Sequence, residues 1–198
     1  MKRIIIGISG ASGSVFGVRL AKSLEKVEKV ETHLVISKWG QQTLEFETGL
    51  KISEVKSYAN FSYSPTEMGA AISSGSFITD GMVIVPASMR TVASIAHGFS
   101  DNLIHRAADV ILKEKRKLVL VPRETPLSQI HLENLLKLSR LGVTILPPEP
   151  AFYNKPESVS DIVDHIVARI CDQFGIKNEL TKRWNGKMKT EDVVPLRR

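Results

Sequence analysis

Cysteine is nearly absent: Cys171 is the single one in 198 residues, which excludes an internal disulfide framework and any metal site built from several thiolates. It falls on a helical stretch, where a small buried hydrophobe is the expected role. Long apolar runs are missing too. None approaches the roughly 20 residues that cross a bilayer, and the apolar start Ile4 to Ile6 is too short for a signal peptide, so a cytoplasmic protein without membrane attachment is expected. There is no Asp-Asp-x-x-Asp and no H-E-x-x-H cluster, so no metal is expected. No G-x-S-x-G elbow supports serine hydrolysis. The histidines His33, His97, His105, His131 and His165 show no ligand spacing and read as packing or surface residues. Acidic residues are in deficit: 21 Asp and Glu against 27 Lys and Arg leave a formal charge of +6. Without a long basic run or a basic–aromatic repeat, nucleic acid is not the expected partner; small phosphorylated molecules or a solubilising surface account for the excess.

What is present alternates between strand and helix. Lys2 to Ile6 reads as a buried strand, and Gly7-Ile8-Ser9-Gly10-Ala11-Ser12-Gly13-Ser14 carries it into a helix over about Ser14 to Lys29. Small residues at a helix N-terminus let an anion approach unpaired backbone N–H groups, so a phosphate is expected there. The stretch is neither G-x-G-x-x-G nor the Walker form. Further strands read at Thr32 to Ser37, Met82 to Val85, Leu118 to Val121 and Val143 to Leu146, the third stopped by Pro86. Helices read at Lys38 to Thr48, Val92 to His97, Leu103 to Lys115, Ser128 to Arg140 and Val159 to Phe174, with 58–80 irregular.

This alternation predicts a single-domain α/β fold, a doubly wound, Rossmann-like or flavodoxin-like, mostly parallel sheet. Residues 1–180 form the domain and 181–198 a basic C-terminal tail available to a neighbouring subunit. Strand-end loops gather Ser9 to Ser14, Ser37, Ser88 to Thr91, Arg123-Glu124 and Tyr153 at one sheet edge, where such folds bind ligands. Glu45 and Glu47, two apart on a helix, diverge by about 200° and cannot both face one site. A crevice of hydroxyls, amides and cations with one carboxylate suits departure or transfer at a phosphate ester.

Gly10-Ala11-Ser12-Gly13, Ile36-Ser37-Lys38, Glu47-Thr48, Pro86-Ala87-Ser88-Met89-Arg90-Thr91, Asp101-Asn102-Leu103, Arg106-Ala-Ala-Asp109, Pro122-Arg123-Glu124 and Pro150-Ala-Phe-Tyr153 together resemble the UbiX/Pad-type flavin prenyltransferases over nearly the whole chain. The resemblance implies a homo-oligomer, a dodecamer, that joins a dimethylallyl group from dimethylallyl phosphate to N5 and C6 of reduced FMN, without a metal, for a UbiD-type decarboxylase. By the same resemblance Gly10, Ala11, Ser12, Ser37, Ser88, Met89, Arg90, Thr91 and Arg123 hold FMN. Arg106, Lys113, Glu124, Tyr153 and Arg169 surround the allylic phosphate, some across a subunit boundary, and Glu47 is the acid/base with Ser12 beside the reacting flavin edge. Many relatives carry Cys at Ala87 and Lys at Arg90, so no thiol acts in that loop. Two other readings use the same crevice: an FMN-dependent peptidyl-cysteine decarboxylase, whose family carries Asn where Arg90 stands, and a flavin-binding subunit without chemistry of its own.

Overall fold

The β-branched run Ile4-Ile5-Ile6 favours extended backbone, and in the computed structural model, which describes residues 1–184 and 186, it lies in the first strand, β1 (Lys2–Ile8). Most of the basic tail at 181–198 lies outside the described residues. β1 pairs in parallel with β2 (Val30–Ile36) on one side and β4 (Gly81–Ala87) on the other. With β3 (Phe61–Tyr63), β5 (Lys117–Pro122) and β6 (Thr144–Ile145) they make a six-stranded, all-parallel sheet of order 3-2-1-4-5-6. Of the two doubly wound patterns expected, this is the Rossmann order, and its direction reverses between β1 and β4.

A strand between two partners has no solvent face, which explains runs that are apolar without alternation. Side-chain alternation still sorts them into two cores. Ile4, Ile6 and Ile8 face Leu20 and Leu24 of α1 (Ser14–Glu25) and Val167 and Ile170 of α7 (Val159–Gln173). Ile5 and Ile84 face Val92 of α4 (Met89–Ala96) and Ile104 and Ala108 of α5 (Leu103–Lys113). These side chains are buried, each worth about 2 kcal/mol over an exposed one. Cys171 is buried as expected, and desolvation pushes its thiol up to about 12.

Several expected boundaries shift for identifiable reasons. Pro86 does not stop β4. It stays within the strand, at an irregularity of register between Ile84 and Ala87, where a missing N–H leaves no ladder bond unmade. The first helix ends at Glu25 rather than near Lys29, whose φ of 69° is left-handed. The irregular 58–80 stretch contributes β3 as the sheet edge, and α3 (Ile52–Ser57) precedes it, unrecognised in the sequence because six residues hold too little periodicity. α2 (Lys38–Thr48) keeps its expected bounds and α6 (Gln129–Arg140) nearly so. Among the described residues no helix is long and apolar enough to cross a membrane.

α7 begins on a capping box: Ser158 Oγ accepts from Asp161 N–H at 3.3 Å while the Asp161 carboxylate accepts from Ser158 N–H at 2.9 Å. Replacing Ser158 by Ala removes one half of it and is expected to lower stability by about 1 kcal/mol. A lower urea midpoint at unchanged slope will show it.

Candidate active site

The reversal of strand order leaves the carboxyl ends of β1 and β4 adjacent with helices departing to opposite faces, so a crevice opens between them. Ser9 sets its floor. Only 2% exposed, it donates from Oγ to Pro86 O at 2.8 Å and accepts at Oγ from Ser88 N–H at 2.8 Å, while its own N–H reaches Pro86 O at 3.2 Å. Pro86 thus supplies a carbonyl that two donors share.

Three helix N-termini point at this crevice. Ser37 caps α2 by accepting from Gly40 N–H at 3.0 Å, Ser88 caps α4 from Thr91 N–H at 3.3 Å, and Asn102 caps α5 from Ile104 N–H at 3.0 Å and His105 N–H at 3.2 Å. Each cap satisfies one or two amides and leaves the remaining first-turn donors and the partial positive charge for an anion. The resulting cleft has a volume of about 360 Å³ and is lined by Gly10, Ser37, Ser88, Arg90 and Thr91 among the expected FMN ligands. Arg90 is solvated, its nearest carboxylate being Asp101 at 3.9 Å, so its guanidinium is free to meet a ligand. Ala11, Ser12, Met89 and Arg123 stand outside the lining.

Beside the cleft, Ser12, Glu47 and Arg123 form a second group. The start of α1 has no cap of its own: Gly13 occupies the N-cap position at φ 97°, a left-handed conformation that suits glycine, and has no side chain to offer. Glu47 of α2 fills that role. Its Oε2 accepts from Gly13 N–H at 3.0 Å, Ser14 N–H at 2.9 Å and Ser14 Oγ at 2.6 Å. The protein's own carboxylate thus holds the first amides of that turn. Partial burial alone would raise its pKa, but hydrogen bonds from Ser12, Ser14 and the Gly13 and Ser14 amides outweigh that and hold it below the usual carboxylate value. Glu45, on the same helix, makes no such contact and is solvent-exposed. Arg123 closes the group, donating from Nε to Ser12 O at 3.3 Å and from its backbone N–H to Ala87 O at 3.2 Å. Glu124 turns back on Thr125 N–H at 3.1 Å.

The remaining expected phosphate ligands do not meet in one protomer. Arg106 lies on α5 with its guanidinium on Ser73 O at 3.2 Å and Asp109 at 2.8 Å, and Lys113 pairs with Glu114 at 2.5 Å. Tyr153 instead stands against α7, edge-on to His165 and Trp184 with ring centroids 5.7 Å apart in both pairs. Arg169 sits on that helix, 2.8 Å from Asp172, which Arg183 also contacts at 2.7 Å. Charge pairing of this kind keeps Asp172 below the usual carboxylate range, through Arg183 first and Arg169 second. Among the described residues no group of three His, Cys, Asp or Glu is placed to hold a metal ion.

Sequence reasoning passed over several residues of the cleft. His105, buried beneath Thr91, reads in the sequence as a packing or surface residue, because lone histidines offer no spacing signal. Pro65 and Thr66 reach the cleft from the irregular stretch and Trp39 from the start of α2.

A parallel sheet of this order with an anion-accepting cleft at its reversal point defines a nucleotide- or flavin-binding α/β protein. Residues 1–171 match the family model described as Flavoprotein. The chain is 57% identical, over 94% of its length and 100% of the relative's, to the flavin prenyltransferase LpdB of Lactiplantibacillus plantarum. It superimposes with a TM-score of 0.92 and 55% identity on a dodecameric FMN-dependent UbiX-like decarboxylase from Escherichia coli O157:H7, covering 93% of this chain and 100% of that one. AnUbiX (PadA1), solved with FMN and dimethylallyl pyrophosphate, gives a TM-score of 0.92 at 47% identity over 94% of this chain and 99% of its own. The chain belongs to the Flavoprotein family, within its UbiX-like flavin prenyltransferase group.

Proposed function

We propose that the protein joins the dimethylallyl group of dimethylallyl phosphate to N5 and C6 of reduced FMN and passes the prenylated FMN to a UbiD-type decarboxylase. It works as a cytoplasmic homo-oligomer of dodecameric type, with 1–180 as the flavin domain and 181–198 as a tail toward a neighbouring subunit. The observation that carries this reading is the near full-length likeness to a relative solved with both FMN and a dimethylallyl donor. The cleft fits the flavin nucleotide: hydroxyls, helix N-termini and Arg90 suit its phosphate. A side chain at Gly10 would strike Trp39, its Cβ only 2.7 Å from that of the tryptophan, so glycine lets the turn pack closely against the start of α2 at the edge of the cleft.

When bound, reduced FMN supplies the electron-rich N5 and C6 that accept the allyl carbons. Gly10, Ala11, Ser37, Ser88, Met89, Thr91 and Arg123 bind and orient it. Arg106, Lys113, Glu124, Tyr153 and Arg169 surround the allylic phosphate; it leaves as negative charge grows on its oxygens, and the cations and the Tyr153 hydroxyl offset that charge. Because these residues occupy separate faces of one protomer, the donor pocket is completed across a subunit boundary. Ring closure at C6 releases a proton. Glu47 is the base that takes it, with Ser12 linking it to the flavin edge.

Anaerobic incubation with reduced FMN and dimethylallyl phosphate is expected to yield flavin heavier by one prenyl unit in the mass spectrum, and the diphosphate in a parallel reaction will define the donor. Unchanged flavin mass with both donors, FMN being bound, overturns the assignment.

A further inference from the structure

Ser14 opens α1 at 0% exposure, and among the described residues its hydroxyl makes one hydrogen bond, to Glu47 Oε2 at 2.6 Å. A buried hydroxyl is costly unless it is bonded, so this one is committed to the carboxylate. Its polarity follows from chemistry, because an ionised carboxylate can only accept. The two oxygens of Glu47 are held unequally. Oε2 takes the Gly13 amide at 3.0 Å, the Ser14 amide at 2.9 Å and the Ser14 hydroxyl. Oε1 has a single amide contact, the Gly13 N–H at 3.2 Å, which it shares with Oε2. Amides cannot reverse their polarity. A proton on Oε2 forfeits two short amide bonds, whereas a proton on Oε1 forfeits one longer, shared contact.

We propose that Ser14 is a positioning residue for Glu47: its buried hydroxyl anchors Oε2 and leaves Oε1 as the oxygen that takes up the proton released at C6. This deepens the prenyl-transfer reading and rests on it. The cap of α1 survives the transfer, since the donors on Oε2 stay bonded while the proton settles on the other oxygen. On the α1 side the groups bonded to Glu47 are uncharged: Ser12, Gly13 and Ser14. Arg123, from the end of β5, donates to Ser12 O, and Glu45 of the same helix is solvent-exposed. Burial opposes the charge on Glu47, and the hydrogen bonds outweigh it, so its pKa lies below the ordinary value. Without the Ser14 hydroxyl, Glu47 gives up its charge more readily.

Turnover across pH, read as prenylated flavin, tests this in the parent, Ser14→Ala, Glu47→Gln and the double variant. The acid limb of Ser14→Ala should move to higher pH. The ratio of its turnover on that limb to its plateau value should fall at least about tenfold, the effect of one hydrogen bond to a charged group. In protein already carrying Glu47→Gln, the same change should cost less than about twofold, because the hydroxyl acts through the carboxylate. An unmoved acid limb, or equal losses in both backgrounds, overturns the proposal. Neutron diffraction from parent crystals at an acid-limb pH should place the deuteron on Oε1, and a deuteron on Oε2 overturns it equally. Acid unfolding examines the bond without the chemistry. Stability from a depressed carboxylate is present above the unfolded value and lost as pH falls through the folded one, so Ser14→Ala should shrink that loss in the parent and leave the pH dependence of Glu47→Gln unchanged. If the parent makes no prenylated flavin, the prenyl-transfer reading falls, and acid unfolding still decides whether Ser14 holds Glu47.

Discussion

Glu47→Gln protein will bind FMN and turn over at least about a hundredfold more slowly, the ordinary contribution of a positioned acid or base. Gln keeps the shape and still offers an oxygen to Ser14 N–H and Ser14 Oγ, which lie 2.9 and 2.6 Å from the carboxylate now. It cannot accept a proton. The substitution also removes a pH-sensitive contact whose sign can be worked out. The folded-state pKa of Glu47 is depressed, so the stability it contributes is fully present above the unfolded carboxylate value and is lost as pH falls through the depressed one. Acid unfolding of the variant should therefore be flatter across that interval. Turnover that survives the change, with mass-verified prenylated flavin, would remove Glu47 from the chemistry and leave it as the cap of α1.

The second large effect is structural. Gly17 of α1 faces β4 so closely that a Cβ would lie 2.5 Å from Val85 O and 2.9 Å from the Ile8 side chain. Nothing flexible can yield: the first obstacle is backbone in the middle of the sheet. Gly17→Val must lift α1 away from β1 and β4, which typically costs about 1–3 kcal/mol in an overpacked core, and valine recovers little helix propensity to offset it. The upper end is expected, because the ends of β1 and β4 are also tied together by Ser9 and cannot part freely. Chemical denaturation will read the loss directly, and FMN affinity should fall with it as the cleft floor shifts. A variant as stable as the parent would mean that α1 is held less closely than its glycine implies.

Much of the fold was open to inference from local signals. Continuous apolar runs require a sheet covered on both faces, and Ser37, Ser88 and Asn102 stand at the starts of the helices they cap because a short polar side chain there satisfies orphan amides. Those caps carried half of the cleft with them. At the helix start that looked most like a phosphate site, the first amides are held by Glu47, 33 residues downstream of Ser14, and nothing in the local pattern says that α2 will lean on α1.

The sequence by itself thus determined five of the six strands and most of the helices, and through its resemblance to a known family it singled out Glu47 over Glu45 and the residues proposed for a flavin and an allylic phosphate. Tertiary structure alone decided the 3-2-1-4-5-6 order and the stitch of Ser9 to a carbonyl 77 positions away. It also decided that Tyr153 stands against the helix that carries Arg169. The division follows range. Propensity, periodicity and capping act over a few residues and are written in the order of the chain, whereas pairing, burial and the direction of a hydrogen bond depend on which distant groups the packed sheet brings together.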